Sequence, residues 1–264
     1  MSISQSVFPE SAIVSKLRAA GCVFAEDEAR LLLSAGATPV ELARMLDRRM
    51  AGFPLEHILG WVEFCGLRIA VDTGVFVPRR RTEFLVHEAT ALTAPGAVVL
   101  DLCCGGGALG AALSAAVGGI EVYAADIEPA AVACARRNLA AQGGRVYEGD
   151  LFEPLPDALR GSIDILLCNT PYVPTEMIET MPPEARLHEP RVTLDGGPDG
   201  LDVQRRVAAD AARWLAPGGH LLVEASENQA PRTAELFEHG GLIPRIATSE
   251  ELYATVVIGT RPCS

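Results

Sequence analysis

The chain has 264 residues, is 49% hydrophobic, and sets 34 Asp and Glu against 22 Lys and Arg for a formal net charge of -12. That much apolar sequence excludes intrinsic disorder, and the acidic excess argues against a protein that holds a polyanion by bulk electrostatics. Its 7 cysteines, Cys22, Cys65, Cys103, Cys104, Cys134, Cys168 and Cys263, include no C-x-x-C pair and no histidine at ligand spacing, so no metal site is expected.

Residues 8 to 52 read as short helices. Ile13, Leu17 and Ala20 recur at helical spacing, as do Ala29, Leu32 and Leu33, then Leu42, Met45, Leu46 and Met50. Thr38-Pro39 reads as a cap followed by proline at the first helical position. From residue 61 to 77 the character changes: Phe64, Leu67, Ile69, Val71, Val75 and Val77, broken by Gly66 and Asp72-Thr73-Gly74, suggest a β-hairpin that Pro78 ends. A domain boundary is placed there, giving 1–77 and 78–264. The basic clusters Arg48-Arg49 and Arg79-Arg80-Arg81 read as solvated faces before binding sites.

Beyond residue 97 strands and helices alternate. The strands are expected at Val98 to Leu102, Glu121 to Ala125, Arg145 to Glu148, Ile163 to Cys168 and His220 to Glu224, with helices at 107–117, 128–141, 201–215 and 229–239. Such alternation implies a mostly parallel sheet covered on both faces. The last two apolar runs, Ile243 to Ala247 and Tyr253 to Ile258, have no helix between them and are expected to pair antiparallel at the sheet's edge. No apolar run is long enough to span a bilayer, and Met1 to Phe8 lack the basic-then-apolar order of a secretory signal. With an odd number of cysteines, the reading is a soluble cytoplasmic protein.

Four polar sites fall at four strand ends. Asp101-Leu102-Cys103-Cys104-Gly105-Gly106-Gly107 follows the first strand and opens a helix, where glycines let a ligand approach free N–H groups. It lacks the G-x-G-x-x-G spacing of a dinucleotide site, and a plain strand-to-helix turn fits the segment equally well. Asp126 ends the second strand, where a carboxylate can accept both hydroxyls of a ribose. Asp150, in Gly149-Asp150-Leu151-Phe152, ends the third, where it can accept an exocyclic amine. Each aspartate alone reads as readily as a helix cap. Asn169-Thr170-Pro171-Tyr172 ends the fourth: an amide oxygen and a main-chain carbonyl for one planar –NH2 group, with a ring to stack beside it. A turn explains that tetrapeptide by itself, but four such sites on one sheet edge read together as a functional site. The acid-rich stretch Glu176 to Glu189 reads as a mobile loop beside it, with Met177, Ile178 and Met181 as packing. The five histidines, His57, His87, His188, His220 and His239, are read as filler.

At this point the chain resembles a family, the S-adenosylmethionine-dependent protein-(glutamine-N5) methyltransferases that modify the glutamine of peptide-chain release factors. The likeness is carried by Ala51 to Gly60, Glu63-Phe64-x-Gly66-Leu67, Gly74 to Arg79 with Thr82-Glu83, Asp101-x-x-x-Gly105-x-Gly107-Ala108, Asn169-x-Pro171-Tyr172, Glu189-Pro190 and Asp195-Gly196-Gly197. It implies a Rossmann-like class I methyltransferase sheet behind a small helical substrate-recognition domain and a connecting hairpin. It also implies S-adenosylmethionine as cofactor, bound by the loop that Asp101 opens, with Gly105 and Gly107 at the methionine end, Asp126 at the ribose and Asp150 at the adenine. Cys103, Ile127, Leu151 and Asn169 are counted with that cofactor site. Asn169 and the Thr170 carbonyl would accept from a substrate amide, with Pro171 and Tyr172 lining its pocket. The partner implied is a protein, a release factor. Three departures stand out: Thr170 for the first proline of N-P-P-Y, Cys103 for a glycine, and Arg80-Arg81 for proline and an acid, which suggest a divergent branch. The rivals are a small-molecule N-methyltransferase, favoured by those departures, a nucleic-acid adenine-N6 methyltransferase, disfavoured by the charge, and a non-catalytic cofactor-binding scaffold.

Overall fold

The computed structural model describes residues 9–263. The expectations for Met1 to Phe8 lie outside them. Helices α1 (Glu10–Ala19), α2 (Ala25–Ser34) and α3 (Pro39–Met50) enclose their own small core of Ile13, Leu17, Ala29, Leu32, Leu42 and Leu46. Thr38 caps α3 as the sequence requires, in a reciprocal box with Glu41 and with Pro39 at the first turn. A one-turn helix, α4 (Leu55–Leu59), follows. It is too short to leave a periodic signal.

The hairpin is β1 (Trp61–Phe64) and β2 (Leu67–Ala70), joined through Cys65 and Gly66, both at positive φ. It is shorter than the alternation of valines suggests. Val71, Val75 and Val77 are buried, but against Ala131 and Cys134 of a later helix rather than in a strand pair. Period-two burial here records a seam packed between elements, not a ladder.

Helix α5 (Glu83–Leu92) leads into the α/β sheet: β3 (Val98–Leu102), α6 (Ala108–Val117), β4 (Glu121–Asp126), α7 (Pro129–Asn138), β5 (Arg145–Glu148), β6 (Ile163–Cys168), a short helix α8 (Pro183–His188), α9 (Asp202–Trp214), β7 (Leu215–Ala225), α10 (Ala230–His239), β8 (Ile243–Ser249) and β9 (Ala254–Thr260). The strand order is β5-β4-β3-β6-β7-β9-β8, parallel except for β9, which runs antiparallel to both β7 and β8. Alternate residues feed two cores. Val99, Ile165 and Leu167 pack under α5 and α6, while Leu100, Leu102 and Leu166 pack with Val207, Ala211 and Trp214 of α9 and Phe237 of α10. Strand β7 begins earlier than the sequence suggests, because Pro217-Gly218-Gly219 passes as a bulge between the Ile163–Leu215 and Ile165–His220 pairs. No helix of the described residues is long and apolar enough to cross a membrane.

The hairpin is fastened to the glycine loop after β3 by one side chain. Asn138, at the end of α7, accepts from Ala70 N at 2.9 Å and donates to Ala70 O at 2.9 Å and to Gly106 O at 2.7 Å. Asn138→Ala leaves three half-buried main-chain groups without that partner, so we expect a loss of about 2 kcal/mol. Thermal denaturation should show a Tm lower by roughly 6 °C. An unchanged Tm would remove Asn138 from this role.

Candidate functional site

Winding proceeds from β3 to β4 to β5 on one side and resumes with β6 on the other. The chain therefore leaves a crevice at the carboxyl ends of β3 and β6, the switch point where open α/β sheets bind ligands. Leu102 pairs with Cys168, so the loop after β3 and the tetrapeptide after β6 emerge side by side. Between them lies a cavity of about 230 Å³, closed by Phe64 and Phe76 from the hairpin region and by Met181, Val192 and Leu194 from the segment beyond β6.

One wall is the glycine loop. Asp126, at the end of β4, accepts from Gly105 N at 2.8 Å and from Glu128 N at 2.9 Å. Burial raises its pKa above the ordinary carboxylate range, against the pull of those amides. Cys103 holds φ at +54°, in the left-handed region where a side chain is strained and glycine is not. Leu151 does the same at +50°. Asp150 is paired through Oδ2 with Arg206 of α9 at 2.7 Å, and both line the cavity.

Asp101 stands behind this wall rather than in it. It is fully buried, and Oδ2 accepts from Gly110 N at 2.9 Å, capping the first turn of α6 from the end of the strand. Its Oδ1 has no partner. Burial pushes its pKa up to about 8, helped by nearby Asp126 and opposed by the Gly110 amide. Gly107 also lies off the cavity. It starts α6 at φ +76°, and a Cβ there would sit 3.2 Å from the Ala135 Cβ.

The opposite wall is the tetrapeptide. Asn169 Oδ1 and Thr170 Oγ1 are buried without partners, and so is Thr82 Oγ1 from the turn entering α5. Unpaired buried oxygens of this kind carry a desolvation cost that a guest can relieve. The Tyr172 hydroxyl donates to Glu224 Oε1 of β7 at 2.8 Å and accepts from Arg81 Nη2, while Arg81 Nε reaches the same Glu224 oxygen at 3.0 Å. Burial, then Glu224, holds the Tyr172 phenol well above its ordinary pKa, so it stays neutral. The loop is braced from outside. Gly196 N donates to Val173 O at 2.9 Å, and a Cβ on Gly196 would lie 2.7 Å from Pro171 O, so only glycine fits.

Ten expected residues line the cavity: Cys103, Gly105, Asp126, Ile127, Asp150, Leu151, Asn169, Thr170, Pro171 and Tyr172. Asp101 and Gly107 do not. Sequence reasoning missed Thr82, Arg79, Arg81, Phe76, Met181 and Arg206, which also line it. Thr82 and Arg79 sat inside the family-like stretch and so had a signal; Arg206, on a helical face, had none. The arginine runs are corrected as well. Arg79 grips the buried Glu189 at 2.6 and 2.7 Å, and Arg49 is buried on Glu28 at 2.6 and 3.0 Å. The stretch from Glu176 to Glu189 is not a free loop either. It is tied down by Glu184 to Arg49 at 2.6 Å, by Glu189, and by the His188 ring, whose centroid lies 4.2 Å from that of Phe53 at a 31° tilt.

The Asp101 carboxyl predicts a pH dependence. Between its ordinary pKa of 3.8 and the folded value near 8, the folded chain holds a proton that the unfolded chain has released. Its contribution to stability therefore falls as pH rises across that window. Asp101→Asn keeps an oxygen for Gly110 N and has no proton to lose. Urea unfolding should show the variant losing less stability than the wild type from about pH 5 to about pH 8. Parallel curves would contradict this.

Comparison with known proteins places this geometry. Residues 66–195 match the family model described as the methyltransferase small domain. The chain is 39% identical over 228 residues, 84% of this chain and 79% of the other, to the release factor glutamine methyltransferase of Geobacter sulfurreducens. It is 35% identical over 216 residues, 78% of this chain and 73% of the other, to the 4-amino-L-phenylalanine/4-methylamino-L-phenylalanine methyltransferase of Streptomyces pristinaespiralis. A solved methyltransferase from Pyrococcus furiosus overlays with a TM-score of 0.57 at 17% identity, covering 75% of this chain and 90% of that one, which shows the shared fold.

Proposed function

This chain belongs to the release factor glutamine methyltransferase family, and on that premise we propose that it methylates the side-chain amide nitrogen of a glutamine in a protein, a release factor. The observation that carries this reading is the buried, unpartnered Asn169 Oδ1 in the cavity wall. The Thr170 carbonyl beside it accepts no hydrogen bond among the described residues. Two such acceptors suit the two hydrogens of a primary amide.

The cavity also suits S-adenosylmethionine. Asp126 would accept from the ribose, Asp150 would offer its second oxygen to the adenine amine, and the Cys103 to Gly106 backbone would cradle the methionine end. When bound, the cofactor supplies a methyl group on a sulfonium, already activated toward a nucleophile. The chain's task is the nucleophile. An amide nitrogen is weak because its lone pair is shared with the carbonyl. Asn169 Oδ1 and Thr170 O would fix its orientation and stabilise the positive charge that develops on it. The extra proton on nitrogen then leaves to solvent or to a carboxylate, since Asp126, Glu128 and Asp150 are among the lining residues. Tyr172, neutral and pinned by Glu224 and Arg81, shapes the acceptor side. A reducing, cytoplasmic setting is consistent with seven free cysteines.

A second reading, N-methylation of a small amine-bearing acceptor, is favoured by one observation: the Arg81 guanidinium stands in the acceptor wall. The Streptomyces relative is named for such an acceptor. The deciding assay follows radiolabelled methyl transfer to a purified release factor and to a variant with the target glutamine changed to alanine. Transfer to the first alone supports the main reading; transfer to neither, with a methylated small amine instead, supports the second. Asn169→Ala should lower kcat by about 100-fold or more while S-adenosylhomocysteine binding stays measurable by calorimetry. Undiminished turnover in that variant would overturn the role given to Asn169.

A further inference from the structure

Three arginines line the cavity, and each has a carboxylate against it: Arg206 with Asp150 on the cofactor side, Arg79 with Glu189, and Arg81 with Glu224. Arg81 differs from the other two in how it is held. Two of its nitrogens are committed to the wall, Nε to Glu224 Oε1 and Nη2 to the Tyr172 hydroxyl, and Tyr172 bonds the same Glu224 oxygen. The Glu224 side chain is 3% exposed while that of Arg81 is 48% exposed. The carboxylate is thus a buried backing, and the guanidinium projects from it. Its Nη1 carries no bond among the described residues.

A guanidinium is a planar fork, and an oxyanion laid along its open edge accepts two parallel N–H bonds. Fixing the fork in advance removes most of the entropy that a free arginine would lose on binding. Its charge is already balanced once by Glu224, so a singly charged guest suits the edge better than a phosphate. The residue therefore adds a requirement that Asn169 and Thr170 do not make.

Resting on the reading of this cavity as an N-methyl acceptor site, we propose that Arg81 is its specificity-determining residue and recognises a carboxylate that the acceptor carries near the reacting nitrogen. That carboxylate has two sources: the main-chain carboxylate of a free amino acid, or an acidic side chain next to the target in a protein.

The test uses the full chain saturated with S-adenosylhomocysteine and pairs of probes that differ only in this group. They are 4-amino-L-phenylalanine and its carboxamide, L-glutamine and L-glutaminamide, and blocked Gln-Glu and Gln-Gln dipeptides. Calorimetry should show at least one carboxylate probe binding about tenfold or more tightly than its neutral twin. Arg81→Gln should bring the twins together without weakening S-adenosylhomocysteine binding. Arg81→Lys, which keeps the charge but not the fork, should restore only part of the difference. Discrimination by the free amino acids assigns the first source, and discrimination by the dipeptides the second. Twins that bind alike, carboxylate probes that do not bind, or a difference that survives Arg81→Gln would overturn the inference. If neutral glutamine peptides are methylated without preference, only the carboxylate role falls. If S-adenosylhomocysteine itself fails to bind, the methyltransferase reading falls with it.

Discussion

The reversal of winding between β3 and β6 is the constraint on which the site depends. After β3 the chain turns onto one face of the sheet through α6, and after β6 it leaves toward the other, so no helix fills the space above their ends. Strand ends left that way expose main-chain groups that something must satisfy. Here the satisfying groups come from far along the chain. Asn138 brings the hairpin against the glycine loop, and the Asp195-Gly196-Gly197 turn bridges to Val173 and braces the tetrapeptide. The cavity is what remains when these distant pieces close over a gap that the topology made. Its walls therefore come from residues that sequence distance gives no reason to associate.

Charge inside the cavity is arranged by local cancellation. The chain is strongly acidic, yet the arginines in the cavity wall each meet a carboxylate at hydrogen-bond distance. Burial of a lone charge would cost several kcal/mol, whereas a bonded pair with its remaining donors turned to the cavity keeps the wall polar at lower cost. Asp101, behind the wall, takes the other route. Without a cation beside it, burial raises its pKa so that the proton neutralises it in place.

How much of this was legible depended on whether the signal was local. Strand β6 was plain because Ile163 to Cys168 is apolar but for Asp164, and α3 because Thr38-Pro39 marks its start in adjacent letters. The terminal hairpin followed from two apolar runs with no helix between them. The signals that misled were ambiguous between causes. The valines at 71, 75 and 77 alternate because they are buried beside α7, and Asp101 at a strand end looks alike whether it touches a ligand or caps α6. Arginine runs look solvated until partners more than a hundred residues away, such as Glu189 and Glu224, are folded against them. Pairings of that range leave no trace in a single sequence.

The departures from the family pattern gain meaning from the same walls. Thr170 stands where a proline was expected and is 2% exposed, with a hydroxyl that no protein atom satisfies. A proline would have carried no such group, so the substitution adds an oxygen that prefers a polar guest. Arg81 stands where an acid was expected and adds donors to the same side. An acid there would have put a second negative charge near the buried Glu224, with nothing to offset it. The arginine removes that repulsion and ties Tyr172 to the pair. Cys103 differs in kind: it holds φ at +54°, where a side chain is strained and a glycine is not. The change at Cys103 therefore bears on the backbone of the glycine loop, while those at Thr170 and Arg81 bear on the chemistry of the acceptor wall.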